Sequence, residues 1–179
     1  MKKIKVVAFD LETIPNQDLI RFLPEVKPAG NLKDPAKIES DIAAKKKKQV
    51  EEMNLNPLFN KICVAGWATS EGVFSISIDE NTEDEKSLLV DFWESLKDYD
   101  HFVTFNGRSF DMRCLLLHGM KHGVRPSVNI DSGRYNHGNH TDLRQVLAGA
   151  DQFAKGKLDT FAQIFLDDHK SEGIDRARS

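Results

Sequence analysis

Apolar residues in this chain follow two periodicities, one typical of strands and one typical of helices. Near the start, an apolar run predicts a buried strand over residues 4–11, and two later runs predict strands over residues 61–68 and 73–78. The turn residues Glu71 and Gly72 separate the last two runs. This arrangement predicts an antiparallel hairpin.

A helical period follows the hairpin. Thr82 and Glu85 have the spacing of a capping box, and five apolar residues then fall on one helical face: Leu88, Leu89, Phe92, Trp93 and Leu96. Another short apolar strand is predicted at residues 101–105. The resulting β-β-β-α-β order is expected to bring the fourth strand next to the first.

A long insertion separates the first two strands, at about residues 15–60. Asp34 precedes Pro35 as an N-cap precedes a proline at the first helical position, and the predicted helix runs to about residue 53. Its apolar stripe is thin, so we expect a helical arm within a single domain over residues 1–179. Lys45–Lys48 form an unbroken basic run, which is either a solvated face or a surface for a phosphate backbone.

Two carboxylates interrupt the first apolar run. Asp10 and Glu12 would project from the same face of a strand, about 7 Å apart. Beside a hydrophobic core such a pair is costly, and a cation of the magnesium or manganese type would offset that cost. The alternative is that the strand ends at Asp10 and that Glu12 and Thr13 lie in a solvated turn.

A third carboxylate comes from the segment around the fourth strand. After residues 101–105, a turn at Asn106 and Gly107 leads into an amphipathic helix with Asp111 in its first turn. The helix dipole alone would favour an acid there. If the fourth strand lies beside the first, however, Asp111 reaches the same sheet edge as Asp10 and Glu12, and three acids suit a two-metal phosphoryl-transfer site.

These residues lie in two motifs, FDLET and TFNGRSFD, which resemble the first two motifs of the DEDD exonuclease superfamily. The resemblance is strongest to predicted exonucleases related to the proofreading domain of family-B DNA polymerases, and the insertion resembles one in their bacterial and phage members. It implies an α/β domain of RNase H-like fold, with a five-stranded mixed sheet flanked by helices. It also implies metal-dependent 3′-5′ hydrolysis of nucleic acid, with DNA as the expected substrate.

The resemblance also assigns roles to individual residues. Asp10, Glu12 and Asp111 would be the catalytic metal ligands for two Mg²⁺ or Mn²⁺ ions. Four further residues would support the turn or contact a single strand or its 3′ end: Thr13, Asn106, Arg108 and Phe110.

One part of the superfamily pattern is missing. Relatives carry a fourth acid on a C-terminal helix, spaced as Y-x-x-x-D or H-x-x-x-x-D, and no such spacing follows residues 157–166. His137 and Asp142 match the second spacing literally, but they precede that segment, and Asp142 better matches the acidic start of an earlier helix. We therefore expect a shortened chain in which the second ion binds weakly. A nucleic-acid-binding accessory domain with weak activity and an RNase H-like endonuclease remain the alternatives.

Composition is compatible with an enzyme of this kind. With 25 Lys and Arg against 28 Asp and Glu, the net charge of −3 gives no global basic field. Cys63 and Cys114 lie in apolar runs without nearby metal-ligating partners, which predicts buried thiols in a reducing, cytoplasmic setting. Four histidines, at positions 118, 122, 137 and 140, have irregular spacing and are expected to be polar loop residues rather than zinc ligands. No signal or membrane-spanning segment is predicted.

Overall fold

A five-stranded mixed sheet organises the chain, with the first strand at its centre. The computed structural model describes residues 3–78, 84–133, 138–149 and 156–166. The strand order is β3-β2-β1-β4-β5, in which β1 pairs antiparallel with β2 and parallel with β4. The strands are β1 Val6–Pro15, β2 Asn60–Thr69, β3 Gly72–Ser77, β4 His101–Thr104 and β5 His140–Asp142.

Helices connect these strands in the predicted order. Within the described ranges, the α-helices are α1 Pro35–Glu51, α2 Glu85–Leu96, α3 Asp111–His122, α4 Leu143–Ala148 and α5 Leu158–Leu166, and 3-10 turns span Gln17–Phe22 and Glu52–Leu55. The predicted β-β-β-α-β opening is confirmed. It places β4 directly beside β1, as the sequence pattern required.

The hydrophobic core lies on one face of the sheet, beneath α2 and α3. Val7, Phe9 and Leu11 point into it from β1, and they meet the apolar face predicted for α2 together with Cys114 and Leu115 of α3. The alternate residues of β1 point the other way. In the described part of the chain, Val6, Ala8, Asp10 and Glu12 are exposed on this opposite face.

The first strand is longer than its apolar run. It continues past Asp10 to Pro15 because β2 pairs with it along its length, from Ala8 opposite Ala68 to Pro15 opposite Asn60. The interpretation in which the strand ends at Asp10 is therefore wrong. Asp10 and Glu12 lie within a paired strand, on the same face.

The insertion contains the predicted helix and is attached mainly through its last part. Asp34 caps α1 by accepting a hydrogen bond from the Ala36 amide (3.0 Å), and α1 contains no buried residue. Met53 is buried, and the Thr13 hydroxyl donates to the Asn54 carbonyl oxygen (2.7 Å). These contacts favour an arm on β1 over a separately folded unit.

Glu85 does not serve the capping box that its spacing predicts. The N-cap of α2 is Asp84, which accepts from the Ser87 amide, and Thr82 lies outside the described residues. The Glu85 side chain turns inward, accepts from the Ile62 amide (2.7 Å) and lies 2.6 Å from His118 Nδ1 and 2.8 Å from His122 Nε2. Burial raises the pKa of Glu85, but the two imidazoles outweigh it and lower the pKa to about 2.

The expectation of polar loop histidines is wrong for His118 and His140, which are buried. His118 Nε2 lies 2.9 Å from Asn60 Oδ1, and that oxygen is an acceptor because Asn60 Nδ2 donates to the Asn54 carbonyl. Both ring nitrogens of His118 thus face side-chain oxygens, Asn60 Oδ1 on one side and Glu85 Oε1 on the other. This buried pair links the start of α2 to α3.

Replacing Glu85 by Gln should lower the free energy of unfolding at pH 7 by about 2 kcal/mol, because the Ile62 amide and the imidazoles of His118 and His122 then lose a charged acceptor. The folded pKa is depressed, so the contribution of Glu85 is present above about pH 4.5 and is lost as the pH falls towards 2. Urea denaturation measures this. The exposed Glu94→Gln is the matched control in α2, and an equal loss in both variants would contradict the prediction.

Candidate active site

Asp10 and Glu12 project from the open face of the central strand. Leu11 lies between them and points into the core, so the two carboxylates flank a fixed position of β1. The pairing with β4 ends at Ala8, and from Ala8 onwards the pairing with β2 holds the backbone that carries both acids. The strand therefore holds both acids at a defined place.

Asp111 reaches the same place from the start of α3. Its side chain is 2 % exposed, and its Oδ1 accepts a hydrogen bond from the Leu11 amide (3.0 Å). The pairing of β4 with β1 ends at Ala8, so the Leu11 amide lies past the end of that pairing and the Asp111 carboxylate takes the position of the missing strand. The residue between Asp10 and Glu12 is thus the one that Asp111 contacts.

Asp10 and Asp111 are also linked electrostatically. Burial raises the pKa of Asp111, and the negative charge of Asp10 raises it further, to about 7. A divalent cation would stabilise the ionised form, and carboxylate oxygens are the ligands that Mg²⁺ and Mn²⁺ prefer. The donor set therefore fits a hard cation.

These acids do not form a closed cage. In the described residues, no group of three or more His, Cys, Asp or Glu side chains is arranged to hold a metal ion. Ions of the magnesium type commonly complete their coordination with water and substrate phosphate oxygens. The arrangement is thus an open edge of carboxylates rather than a preformed structural metal site.

The turn between β4 and α3 has a backbone that few residues adopt. Asn106 has φ of +68°, and a Cβ atom at Gly107 would overlap the Thr104 side chain. The Asn106 side-chain oxygen accepts from Ser109 Oγ (2.7 Å) and Arg144 Nη1 (2.9 Å). The asparagine and glycine of TFNGRSFD are therefore explained by the turn itself.

The four residues expected to support the turn or contact the substrate lie in different surroundings. Thr13 binds Asn54 of the insertion, and Phe110 is partly buried against the core. Arg108 is 7 % exposed, and its guanidinium donates to the His140 carbonyl (2.6 Å) and to the Gly133 carbonyl. Arg108 thus binds backbone carbonyls inside the protein, whereas the polar residue Asn106 is half-buried.

The literal H-x-x-x-x-D match is only partly described. His137 lies outside the described residues, whereas Asp142 caps α4, as its position in the sequence suggested. Its carboxylate accepts from the amides of Asn106 (2.8 Å), Arg108 (3.0 Å) and Arg144 (3.1 Å). Moving Asp142 towards a metal would break these three bonds.

The mixed five-stranded sheet flanked by helices, with acids on the central strand β1 and at the start of α3, defines a domain of RNase H-like fold, and that expectation is confirmed. The family B DNA polymerase from the hyperthermophilic archaeon Pyrobaculum calidifontis matches 92 % of this chain with a TM-score of 0.54 and 19 % identity. This chain spans only 18 % of that polymerase.

The chain belongs to the family described as "Predicted 3'-5' exonuclease related to the exonuclease domain of PolB", whose sequence model matches residues 56–167. No curated protein matches this chain. Among the described residues, no helix is both long and apolar enough to cross a membrane.

Proposed function

We propose that this protein is a metal-dependent 3′-5′ exonuclease that hydrolyses phosphodiester bonds at the 3′ end of single-stranded DNA. The observation that carries the proposal is the hydrogen bond from the Leu11 amide to Asp111, between Asp10 and Glu12. The bond joins residues that are 100 positions apart in the sequence, and it supports a shared site for the three acids at this edge of the sheet. Membership of a predicted exonuclease family supports the same activity.

Each acid has a distinct part in this proposal. Asp10 and Asp111 would hold the cations, and Glu12 would bind one of them and the terminal 3′ hydroxyl. When bound, two Mg²⁺ or Mn²⁺ ions supply activation of water and charge neutralisation at the leaving oxygen. Asp111 must first lose its proton, so protons compete with cations for this carboxylate below about pH 7.

The open face of the sheet leaves room for the substrate. Asp10 lies opposite Gly66, which has no side chain, whereas Glu12 lies opposite Val64. A single strand could therefore approach the Asp10 carboxylate over Gly66.

The activity is tested with 5′-labelled single-stranded DNA, with and without Mn²⁺ or Mg²⁺. A ladder that shortens from the 3′ end, and that chelation stops, is expected. A blocked 3′ terminus should prevent it, and closed circular DNA should remain intact. Cleavage of the circle would instead indicate the endonuclease, and matched RNA shows which sugar is accepted.

A second candidate is an accessory domain that binds nucleic acid but hydrolyses it poorly. The absence of a closed cage among the described residues favours it, as does the engagement of Asp142 by backbone amides. If Asp10, Glu12 and Asp111 alone hold the cations, one ion should bind appreciably and the second weakly. Metal-dependent DNA binding without shortening would support this candidate.

The basic run on α1 is partly neutralised in the structure. Lys45 lies 2.7 Å from Asp41, Lys47 lies 3.8 Å from Glu51, and Lys48 lies 3.6 Å from Glu52. These pairs are four residues apart on the helix surface and weaken the local positive field. The solvated face that the sequence allows is therefore supported for part of the run.

Replacing Lys46, Lys47 and Lys48 by Gln tests the remaining interpretation. If these lysines meet the phosphate backbone, the slope of log affinity against log salt should fall by about 0.7 for each phosphate that is no longer neutralised. Lys45 is kept because it also donates to the Lys27 carbonyl. Fluorescence anisotropy with single-stranded DNA measures the slope.

The matched control for the lysine variant is Glu51→Gln with Glu52→Gln, which frees Lys47 and Lys48 from their partners. Tighter binding of DNA by this control is expected if the arm faces the substrate. An unchanged slope in both variants would leave the lysines as a solvated face.

A further inference from the structure

Asp142 ends the last strand of the sheet, directly beneath the turn that leads to Asp111. It is 3 % exposed, and its two oxygens accept from the amides of Asn106, Arg108 and Arg144 at 2.8–3.1 Å. A buried carboxylate is stable only when its oxygens are satisfied in this way. Capping α4 explains the Arg144 bond, but not the two bonds to the β4–α3 turn.

The turn needs this carboxylate because of its own geometry. The left-handed Asn106 lies between β4 and Arg108, so the amides of Asn106 and Arg108 face the same side without strand or helix partners. Buried amides without an acceptor destabilise the folded state. Asp142 satisfies both and thereby fixes the backbone on either side of Gly107.

Asp142 is itself held in register. Phe102 pairs with His140 and Thr104 with Asp142 in the parallel β4–β5 ladder. His140 Nδ1 donates to the Asp131 carbonyl (3.0 Å), so His140 Nε2 accepts from the Thr104 hydroxyl (2.9 Å). Asp142, which binds the turn, is therefore held in place by the sheet.

The fixed turn connects directly to the acid. The Gly107 carbonyl accepts from the Met112 amide (2.8 Å), which sets the first turn of α3 and with it Asp111. We propose that Asp142 is a positioning residue, which holds the Asn106–Arg108 turn so that the Asp111 carboxylate meets the Leu11 amide beside Asp10. Its catalytic meaning rests on the proposed function, whereas the positioning itself can be measured in the metal-free protein.

The test is amide hydrogen exchange, read by NMR, in Asp142→Asn without metal. Asn is as good an N-cap as Asp, so α4 keeps its cap while the charged acceptor is lost. Exchange at Asn106, Arg108 and Leu11 should become about tenfold faster or more, although Asp142 does not contact Leu11. The matched control is Asp84→Asn, the same change at the N-cap of α2, which should leave these amides unchanged.

The proposal is overturned if Asn106 and Arg108 exchange faster in Asp142→Asn while Leu11 stays as protected as in the wild type. If this variant does not fold, native-state exchange of the wild type in low urea decides the matter. One shared opening free energy for the three amides supports the proposal. A separate, lower value for the turn alone refutes it.

Cleavage assays give the functional readout. Asp142→Asn should lower kcat by about 10–100-fold and raise the Mn²⁺ concentration needed for half-maximal rate, with KM for DNA unchanged. Asp84→Asn should match the wild type. If the wild type does not cleave DNA, the proposed exonuclease function fails, and the exchange experiment still decides the positioning role.

Discussion

Asp10→Ala is expected to lower divalent-metal-dependent cleavage by about 10³-fold or more while the protein stays folded. Asp10 is exposed on the open face of β1, so its removal leaves no cavity in the core. It takes away a proposed cation ligand and also the negative charge that raises the pKa of Asp111. The free energy of unfolding at neutral pH should therefore be unchanged or slightly higher.

Gel assays of 5′-labelled DNA in Mn²⁺ measure the activity, and urea denaturation checks the fold. Asp91→Ala is the matched control, because Asp91 is exposed on α2 and the proposed mechanism does not use it. Equal loss of activity in both variants would point to a general effect on the protein. Full activity in Asp10→Ala would remove Asp10 from the site and with it the proposed mechanism.

The apolar pattern was sufficient to predict the central part of the fold. Runs of period two gave β1, β2 and β3 to within a few residues, and the helical stripe gave α2, because the core face of each element is buried under a single neighbour. The end of β1 was missed because polar residues continue a strand when a partner strand supplies the hydrogen bonds. Pairing with β2, rather than local preference, decides that boundary.

Three-residue β5 carries no periodic signal, although it supplies two buried side chains beneath the site. The sequence shows His140 and Asp142 two positions apart, which is the strand period, but the Thr104 hydroxyl and the Asn106 amide that they bind lie 36 residues away. The structural role of Glu85 could not be predicted for a related reason. Its spacing from Thr82 fits a local cap, whereas its actual partners, His118 and His122, come from α3.

The acids of the candidate site could be predicted from the sequence because their positions follow from the order of the strands and helices. Once β4 lies beside β1, the helix after β4 must start near the middle of β1. The Leu11 amide that Asp111 binds could not be predicted, since it depends on how early the pairing of β4 ends. The burial of Arg108 could not be predicted either. An arginine in such a turn suggests a phosphate contact, whereas the structure buries its side chain.

Asp111→Asn should stabilise the metal-free protein at pH 8 by up to about 4 kcal/mol, because its pKa is near 7 in the folded state against an ordinary value of 3.8. Between these two values the folded state binds more protons than the unfolded state, so the free energy of unfolding falls as the pH rises and levels off above about 7. Asn retains an oxygen that can accept from the Leu11 amide. The variant should therefore lose the pH dependence and keep the hydrogen bond.

Urea denaturation in chelator at pH 4, 6 and 8 tests this directly, and the quantity to compare is the difference between the two proteins. Carboxylates that are not coupled to Asp111, Glu85 among them, titrate alike in both and cancel. The difference should be small at pH 4 and largest at pH 8, and Mn²⁺ should stabilise only the wild type at pH 8, since cation binding there relieves the charge of Asp111. Parallel stability curves would show that Asp111 ionises normally, and the coupling between Asp10 and Asp111 that supports the metal site would then be absent.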